Sequence, residues 1–267
     1  MLNALTADLR EMFAEQIEFR ELLYQMTWRD LLLRYKQTVM GFAWAIFMPL
    51  VNTAVFSVVF MRVAPLDVGV PYPVFAYSGL LAWNFFASAI RFSVTSLTSN
   101  SNLVTKVYFP REIFPFSAVV VSTVDFVIGA VPLVLMMMYY RIPVTPALAF
   151  LPVVIAVQVM FTAGVALLLA MANLFYRDVK YLFEVLITVW MFATSVLYPI
   201  DLVGGRTGAL LRLNPMTPII DAFRTVLLKG TLPHPVPFAA AAMVSVVVFA
   251  GGWLLFHRAE FQFAENI

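Results

Sequence analysis

The sequence contains no cysteine, and only 12% of its 267 residues are charged. Without cysteine, the protein cannot form disulfides, use a catalytic thiol or bind a metal through thiolates. Hydrophobic residues make up 62% of the chain, whereas soluble domains average about 45–50% apolar and about 25% charged residues. We therefore expect an integral membrane protein. The net charge of +2 is too small to indicate a nucleic-acid partner.

Lysine is also scarce, which excludes one kind of nucleotide site. A phosphate-binding loop needs a Gly-Lys pair followed by Ser or Thr. The lysines at positions 36, 106, 180 and 229 are followed by Gln, Val, Tyr and Gly. We expect no ATP site on this chain, so any coupling to ATP must come through another subunit.

The sequence offers little for an enzyme or a metal site. It contains no D-x-D, H-E-x-x-H or G-x-S-x-G motif. Its two histidines, His234 and His257, lie at opposite ends of one apolar stretch, about a membrane thickness apart on a helix. They cannot share a metal. We expect no catalytic residues, no metal site and no cofactor on this chain.

Six stretches are apolar enough to cross a membrane, which takes about 20 residues as a helix. They are residues 38–61, 72–90, 113–140, 152–175, 185–200 and 235–256. The third contains Asp125, and the fifth is short. The pattern predicts an all-α integral membrane protein with a six-span bundle over residues 38–256.

The basic residues predict the orientation. Eleven of the 17 lysines and arginines fall on the side of the termini and six on the other. Because positive charge is retained on the cytoplasmic side, both termini should be cytoplasmic.

Residues 1–36 are predicted to form an amphipathic region at the cytoplasmic interface. Leu9, Phe13 and Ile17 recur every four residues among charged side chains, as on one face of a helix. Arg34 and Lys36 directly precede the first apolar stretch. We expect these cations to anchor the cytoplasmic end of the first span.

The segment 201–230, between the fifth and sixth stretches, is predicted to form two short outer helices. Asn214 and Pro215 make a turn between them, Thr217 can cap the second helix, and Phe223 lies on its apolar face. The pair either re-enters the membrane or covers its surface, since a re-entrant backbone needs protein or a cavity around it.

Asp125 is a carboxylate near the middle of a span, where charge is costly unless it is paired or solvated. Two interpretations remain open. It could serve an ion-driven carrier, or it could be held structurally through Ser122 and Thr123.

Aromatic residues make up 15% of the chain. Aromatic faces stack on the apolar faces of sugars, so Trp44, Phe47, Trp190 and Phe192 are candidates for lining a glycan channel. Aromatic side chains also occur at lipid contacts and in the core.

Four strings go beyond these general features: WRDLLLRYKQTVMGFAWAIFMPL, NLVTKVYFPREIFP, NLFYRDVKYLFEVLITVWMFATSVLYPI and LNPMTPIIDAFRTVLLKG. They resemble the permease subunits of ABC-type polysaccharide exporters, which move O-antigen, capsule or teichoic acid chains. The resemblance extends along the whole chain, including the tail FHRAEFQFAENI.

The resemblance implies a homodimeric permease in the bacterial cytoplasmic membrane, in contact with membrane lipids. It also implies two copies of an ATP-binding subunit, which would hold ATP and Mg. The cargo would be an undecaprenyl-linked polysaccharide of the kind used in lipopolysaccharide biosynthesis. A drug or a simple lipid is the alternative cargo.

The resemblance also assigns roles to residues. Residues 98–111 correspond to the coupling helix that docks on the ATPase, through Asn102, Leu103, Val104, Lys106, Tyr108, Phe109, Pro110 and Arg111. Residues 201–230 correspond to outer gate helices, and residues 257–267 to a cytoplasmic tail. Arg91 and Arg177 would lie at the inner mouth, where they could attract a pyrophosphate or serve in salt bridges.

Two further hypotheses belong to other classes. A membrane enzyme acting on lipid-linked sugars would need acid and base groups that the sequence does not supply. An ion-driven carrier would depend on Asp125 and usually needs more than one such group.

Overall fold

A computed structural model describes residues 12, 14–36, 38–63, 65–106 and 109–263, and this part of the chain contains helices and no strand. Tyr108 of the expected coupling segment lies outside the described residues, as do Leu9 and Phe13 of the amphipathic pattern and residues 264–267 of the tail.

Ten α-helices are described in chain order. They are α1 (Arg20–Tyr35), α2 (Trp44–Val58), α3 (Tyr72–Ser99), α4 (Ser101–Lys106), α5 (Ile113–Tyr139), α6 (Leu151–Phe175), α7 (Val179–Phe192), α8 (Gly205–Arg212), α9 (Met216–Arg224) and α10 (Pro235–Ala259). Single turns of 3₁₀- or π-helix extend several of them.

Within the described residues, five helical segments are long and apolar enough to cross a membrane: Gly41–Val63, Tyr72–Ser99, Ile113–Tyr139, Pro146–Phe175 and Pro235–Gln262. They correspond to five of the six predicted stretches. The protein is therefore an all-helical, multi-pass membrane protein.

The remaining stretch, 185–200, differs from the prediction. Its helix, α7, begins earlier, at Val179, and ends at Phe192 after 14 residues. At 1.5 Å per residue this is about 21 Å, shorter than the hydrocarbon core of about 30 Å. The carbonyl oxygens of Ser195 and Val196 accept hydrogen bonds from Arg224 instead of from helical amides, which explains the early end.

Helix α3 is the central helix of the bundle and contacts α2, α5, α6, α7 and α9. Tyr77 donates a hydrogen bond to the carbonyl of Gly129 at 2.7 Å, which joins α3 to α5. From α6, Gln158 donates to the carbonyl of Ala82 at 2.6 Å and Asn173 to that of Val94 at 2.9 Å. Lipid offers no such partners, so these bonds favour helix association.

Helices α6 and α10 pack closely because glycines face each other at their crossing. A Cβ atom on Gly164 would stand 2.7 Å from the backbone of Phe249, and one on Gly252 would stand 2.8 Å from the carbonyl oxygen of Gly164. Small residues at such positions allow close approach of membrane helices.

Helix α1 packs against α5. The hydroxyl of Ser117 on α5 donates to Asp30 of α1 at 2.9 Å. Tyr24, Trp28 and Leu33 on α1 remain exposed, as expected for an interfacial helix whose apolar side meets lipid. The amphipathic region is thus tied to the third span.

Candidate functional site

Asp125 in α5 is bound by two residues at the end of α1. Arg34 forms an ion pair with one carboxylate oxygen, and the Tyr35 hydroxyl donates to the other. The side chains of Arg34 and Asp125 are only 15% and 19% exposed. The guanidinium also lies 3.7 Å from the centre of the Phe92 ring. Burial and the hydrogen bond to Asp125 raise the pKa of Tyr35 well above its usual range, so Tyr35 remains a donor.

These partners differ from the structural alternative considered for Asp125. The hydroxyl of Ser122 pairs with that of Ser88 at 3.5 Å, and Thr123 donates to the carbonyl of Val119 at 2.9 Å. Arg34 therefore compensates a charge that the neighbouring hydroxyls on α5 do not.

The expected coupling segment divides into an exposed and a buried part. Asn102 and Lys106 on α4 are exposed, and Leu103 is half-buried. Val104, Phe109 and Pro110 are buried, and Val104 and Phe109 pack in a hydrophobic cluster with residues of α6 and α10. Of the described coupling residues, Asn102 and Lys106 are thus the most accessible to a partner.

Arg111 holds this segment to the end of α10. Its guanidinium donates to the carbonyl of Glu260 at 2.8 Å and to that of Val104 at 3.3 and 3.4 Å. The side chain therefore faces into the protein and joins α4, the start of α5 and the turn after α10.

The two expected inner-mouth arginines differ in their surroundings. Arg91 on α3 makes a two-bond ion pair with Glu184 on α7, at 2.7 and 3.1 Å. Arg177 is exposed and makes no ion pair within the described part of the chain. Sequence analysis missed Glu184, although its position next to an apolar stretch marks it as a partner for a basic residue.

The four candidate aromatics do not lie together. Trp44 and Phe47 are exposed and meet edge to face with ring centres 5.8 Å apart. Phe192 is also exposed. Trp190 is half-buried in a cluster with the rings of Trp83, Phe86 and Phe161. Trp190 therefore belongs largely to the core of the chain.

Asn214 connects the outer helices to the end of α7. Its amide donates to the carbonyl of Ala193 at 3.1 Å and to the Thr194 hydroxyl at 2.7 Å. Its oxygen accepts from the Trp190 indole at 3.0 Å and from the Met216 backbone at 3.1 Å. Every polar end of this half-buried side chain is occupied, which fixes the turn between α8 and α9.

Helix α9 begins differently from the prediction. It starts at Met216, with Pro215 at the N-cap and no side-chain cap. The hydroxyl of Thr217, expected to cap the helix, instead donates to the carbonyl of Leu211 at 3.2 Å. Phe223 is buried and contacts Phe126 of α5, with ring centres 5.8 Å apart. The expected apolar face of α9 is thus packed inside the protein.

Arg224 holds α9 in this position. It is 4% exposed and donates to the carbonyls of Ser195, Val196 and Phe75. Ser195 in turn donates to Asp221 at 3.0 Å. Burial raises the pKa of Asp221 and lowers that of Arg224 to about 10, while the charge of each opposes the shift of the other.

A cavity of about 720 Å³ lies between the outer helices and the start of α10. Asp201, Arg212, Lys229 and His234 line its polar part, and Phe238 belongs to its apolar wall. Protein and a cavity therefore surround α9.

These features define the class of the protein as a polytopic membrane transport subunit. It has an N-terminal helix joined to the bundle by an ion pair, an exposed segment between the second and third long apolar helices, and a short helix, α9, packed into the bundle. The sequence pattern of the ABC-2 type transporter family matches residues 21–228, and the chain belongs to this family. It is accordingly a transport subunit and not an enzyme, and membership implies an ATP-binding partner.

Relatives align over most of the chain. The chain is 32% identical over 256 residues to the O-antigen export system permease protein RfbA of Myxococcus xanthus, covering 95% of this chain and 98% of that protein. A Klebsiella pneumoniae protein of the same name is 29% identical and covers 92% and 94%. The polysialic acid transport protein KpsM of Escherichia coli is 20% identical and covers 87% and 91%.

Proposed function

We propose that the protein is the permease of an ABC exporter that moves a polysaccharide of the O-antigen type across the bacterial cytoplasmic membrane. The observation that carries this proposal is the 32% identity, over 95% of the chain, to an O-antigen export permease. The cargo is an undecaprenyl-linked chain, and ATP hydrolysis with Mg occurs on the partner subunit.

Two protomers form the channel, and two ATP-binding subunits drive it. In one protomer the first span exposes Val51, Val55 and Val58, and α7 exposes Val185 and Val189. Such apolar surfaces are suited to lipid or to a second copy of the chain. Both helices pack against α3, and their exposed apolar surfaces support a dimer with the channel between protomers.

Helix α7 and the chain that follows it complete a sixth crossing. The helix is short, and Arg224 and Asn214 satisfy the backbone carbonyls of the non-helical residues that continue it. This arrangement meets the requirement that every backbone polar group in a membrane has a partner. An even number of crossings, with most basic residues on one side, supports cytoplasmic termini.

Asn102 and Lys106 make the contact with the ATP-binding subunit, with Leu103 beside them. Val104, Phe109 and Pro110 lie in the bundle, and Arg111 links the segment to the end of α10. A displacement of α4 is thereby passed to α5 and α10 through the packed side chains of Val104 and Phe109 and the hydrogen bonds of Arg111.

The remaining candidate residues lie along the path of the glycan. Arg177, exposed at the inner end, attracts the pyrophosphate, and Arg91 is available once it leaves Glu184. Trp44, Phe47 and Phe192 offer exposed rings to the passing chain. Helices α8 and α9 form the outer gate, with Asn214, Pro215, Thr217 and Phe223 at the turn and on the packed face.

Deletion of the gene in its native bacterium tests the cargo. We expect loss of long-chain surface glycan, accumulation of undecaprenyl-linked glycan on the cytoplasmic side, and recovery of surface glycan on complementation. Unchanged surface glycan with increased sensitivity to drugs, or with an altered simple lipid, would instead support the alternative cargo.

A further inference from the structure

Three potential metal ligands meet at the cytoplasmic end of the bundle. Glu112 precedes α5, His257 lies in the last turn of α10, and Glu260 follows in the next turn. One ligand atom from each lies within 4.8 Å of the other two. The residues are only 1%, 9% and 6% exposed, respectively.

The hydrogen bonds within this cluster are incomplete. Oε1 of Glu112 is 3.1 Å from Nδ1 of His257, but Oε2 of Glu112 is buried and accepts no hydrogen bond from the residues that the structure describes. Oε2 of Glu260 is 3.5 Å from the backbone nitrogen of Arg111. A buried carboxylate oxygen without a partner is costly.

Arg111, which contacts Glu260, does not fill this gap. The Arg111 guanidinium donates to the carbonyl oxygens of Val104 and Glu260, and it makes no ion pair with either carboxylate in the described part of the chain. With His257 neutral, two buried carboxylates would face one guanidinium that is committed to the main chain. A divalent cation would supply the missing positive charge and a partner for Oε2 of Glu112.

We propose that Glu112, His257 and Glu260 bind a divalent transition metal ion of the zinc class. Zinc accepts imidazole nitrogen and carboxylate oxygen at about 2.0–2.2 Å, which places two ligand atoms of a tetrahedral site about 3.3–3.5 Å apart. The 3.1 Å separation between Glu112 and His257 is close to that value. A water molecule can complete the coordination.

This site goes beyond the proposed function and does not depend on the cargo. It joins the residue that follows the coupling segment, Glu112, to the end of the last span. A metal bound there would fix the start of α5 against α10, directly beside the Arg111 contact. Its role is structural reinforcement at the end of the bundle that faces the ATP-binding subunit.

The chain has two histidines, which makes the test specific. The full-length protein is purified through a tag without histidine, stripped with a chelator and titrated with Zn²⁺, with bound metal measured by mass spectrometry. We expect about one ion per chain and a higher unfolding temperature with Zn²⁺. His257→Gln should weaken binding more than about 10-fold, since even the outer partners of metal ligands contribute about 10–100-fold. The control His234→Gln should bind as the wild type does.

A second measurement avoids altering the site. In His234→Gln protein loaded with Cu²⁺, imidazole nitrogen coupling in the electron paramagnetic resonance spectrum can come only from His257. If His257→Gln does not fold, Glu260→Gln and this spectrum decide the question. Substoichiometric Zn²⁺ binding by the wild type, unchanged binding in folded His257→Gln, or absence of nitrogen coupling would each overturn the proposal.

Discussion

Arg34 on the N-terminal helix and Asp125 in the third span form an ion pair between residues 91 positions apart in sequence. The pair joins α1 to α5, and the Arg34 guanidinium lies over the Phe92 ring. Since Asp125 also accepts a hydrogen bond from Tyr35, its charge is already compensated. These contacts favour a role for Asp125 in anchoring α1 to α5 over a role in carrying an ion.

Breaking this pair should destabilise the protein. Asp125→Asn leaves the Arg34 cation partly buried without its counter-charge, and we expect the free energy of unfolding to fall by about 3 kcal/mol. Thermal unfolding of the purified variant in detergent measures the loss. The paired change Arg34→Met with Asp125→Leu should recover much of it, because both charges are then removed.

The control for this prediction is Arg29→Ala. Its partner is the adjacent Asp30, and the two side chains are 36% and 28% exposed, so the loss should stay below about 1 kcal/mol. If the paired variant is stable but no longer exports glycan, Asp125 has a transport role that the anchoring interpretation does not explain.

Gly79→Ala should disturb the contact between α3 and the outer helices. A Cβ atom at this position would collide with the Arg224 guanidinium and the carbonyl oxygen of Val196. We expect a loss of about 1–3 kcal/mol, measured by thermal unfolding, together with easier proteolysis around α9. Gly251→Ala is the matched control, because nothing lies within 4 Å of its Cβ position, and it should be neutral or slightly stabilising.

Lys106→Ala should reduce communication with the ATP-binding subunit without harming the fold. The side chain is exposed, so the free energy of unfolding should change by less than about 0.5 kcal/mol. The stimulated ATPase rate of the complex and surface glycan should fall several-fold. Arg206→Ala, an exposed cation on the predicted outer side, should leave both unchanged. Equal effects of the two substitutions would contradict coupling through α4.

Phe192→Ala and Trp190→Ala should separate transport from stability. Trp190 packs in the aromatic cluster and donates to Asn214, so its truncation should cost about 3–5 kcal/mol. Phe192 is exposed and should cost less than about 1 kcal/mol while slowing export. Phe261→Ala, which removes another exposed aromatic ring at the end of the last span, should affect neither. Normal export by Phe192→Ala would remove Phe192 from the glycan path.

Much of the architecture could be predicted because the bilayer imposes a length on apolar segments. Five of the six predicted stretches are long apolar helices. The fifth stretch, 185–200, forms a shorter helix than its apolar length predicts. Apolar composition does not show which groups hydrogen-bond to the backbone carbonyls of this stretch. The carbonyls of Ser195 and Val196 depend on Arg224, which lies in another segment, and no local pattern reveals that contact.

The candidate site residues, too, could be predicted from the sequence only in part. A carboxylate within a span predicted that the charge of Asp125 would need compensation. Only the packing of α1 against α5 identifies Arg34 as its partner. The sequence predicted a coupling segment over residues 98–111, but only packing shows that Val104 faces inward while Lys106 is exposed. The cluster of Glu112 and Glu260 could not be predicted, because the two residues are 148 positions apart and neither belongs to a local sequence motif.

By itself, the sequence determined that the protein crosses the membrane several times and that it contains no phosphate-binding loop motif. It also predicts which side of the membrane carries most positive charge. These properties follow from composition and from residues adjacent in the chain. The tertiary structure decided which charges are paired and which aromatic side chains are accessible. It also decided that α9, the second of the two predicted outer helices, is buried. Those properties depend on contacts between distant segments, because a buried polar group is satisfied by whichever donor the fold brings to it.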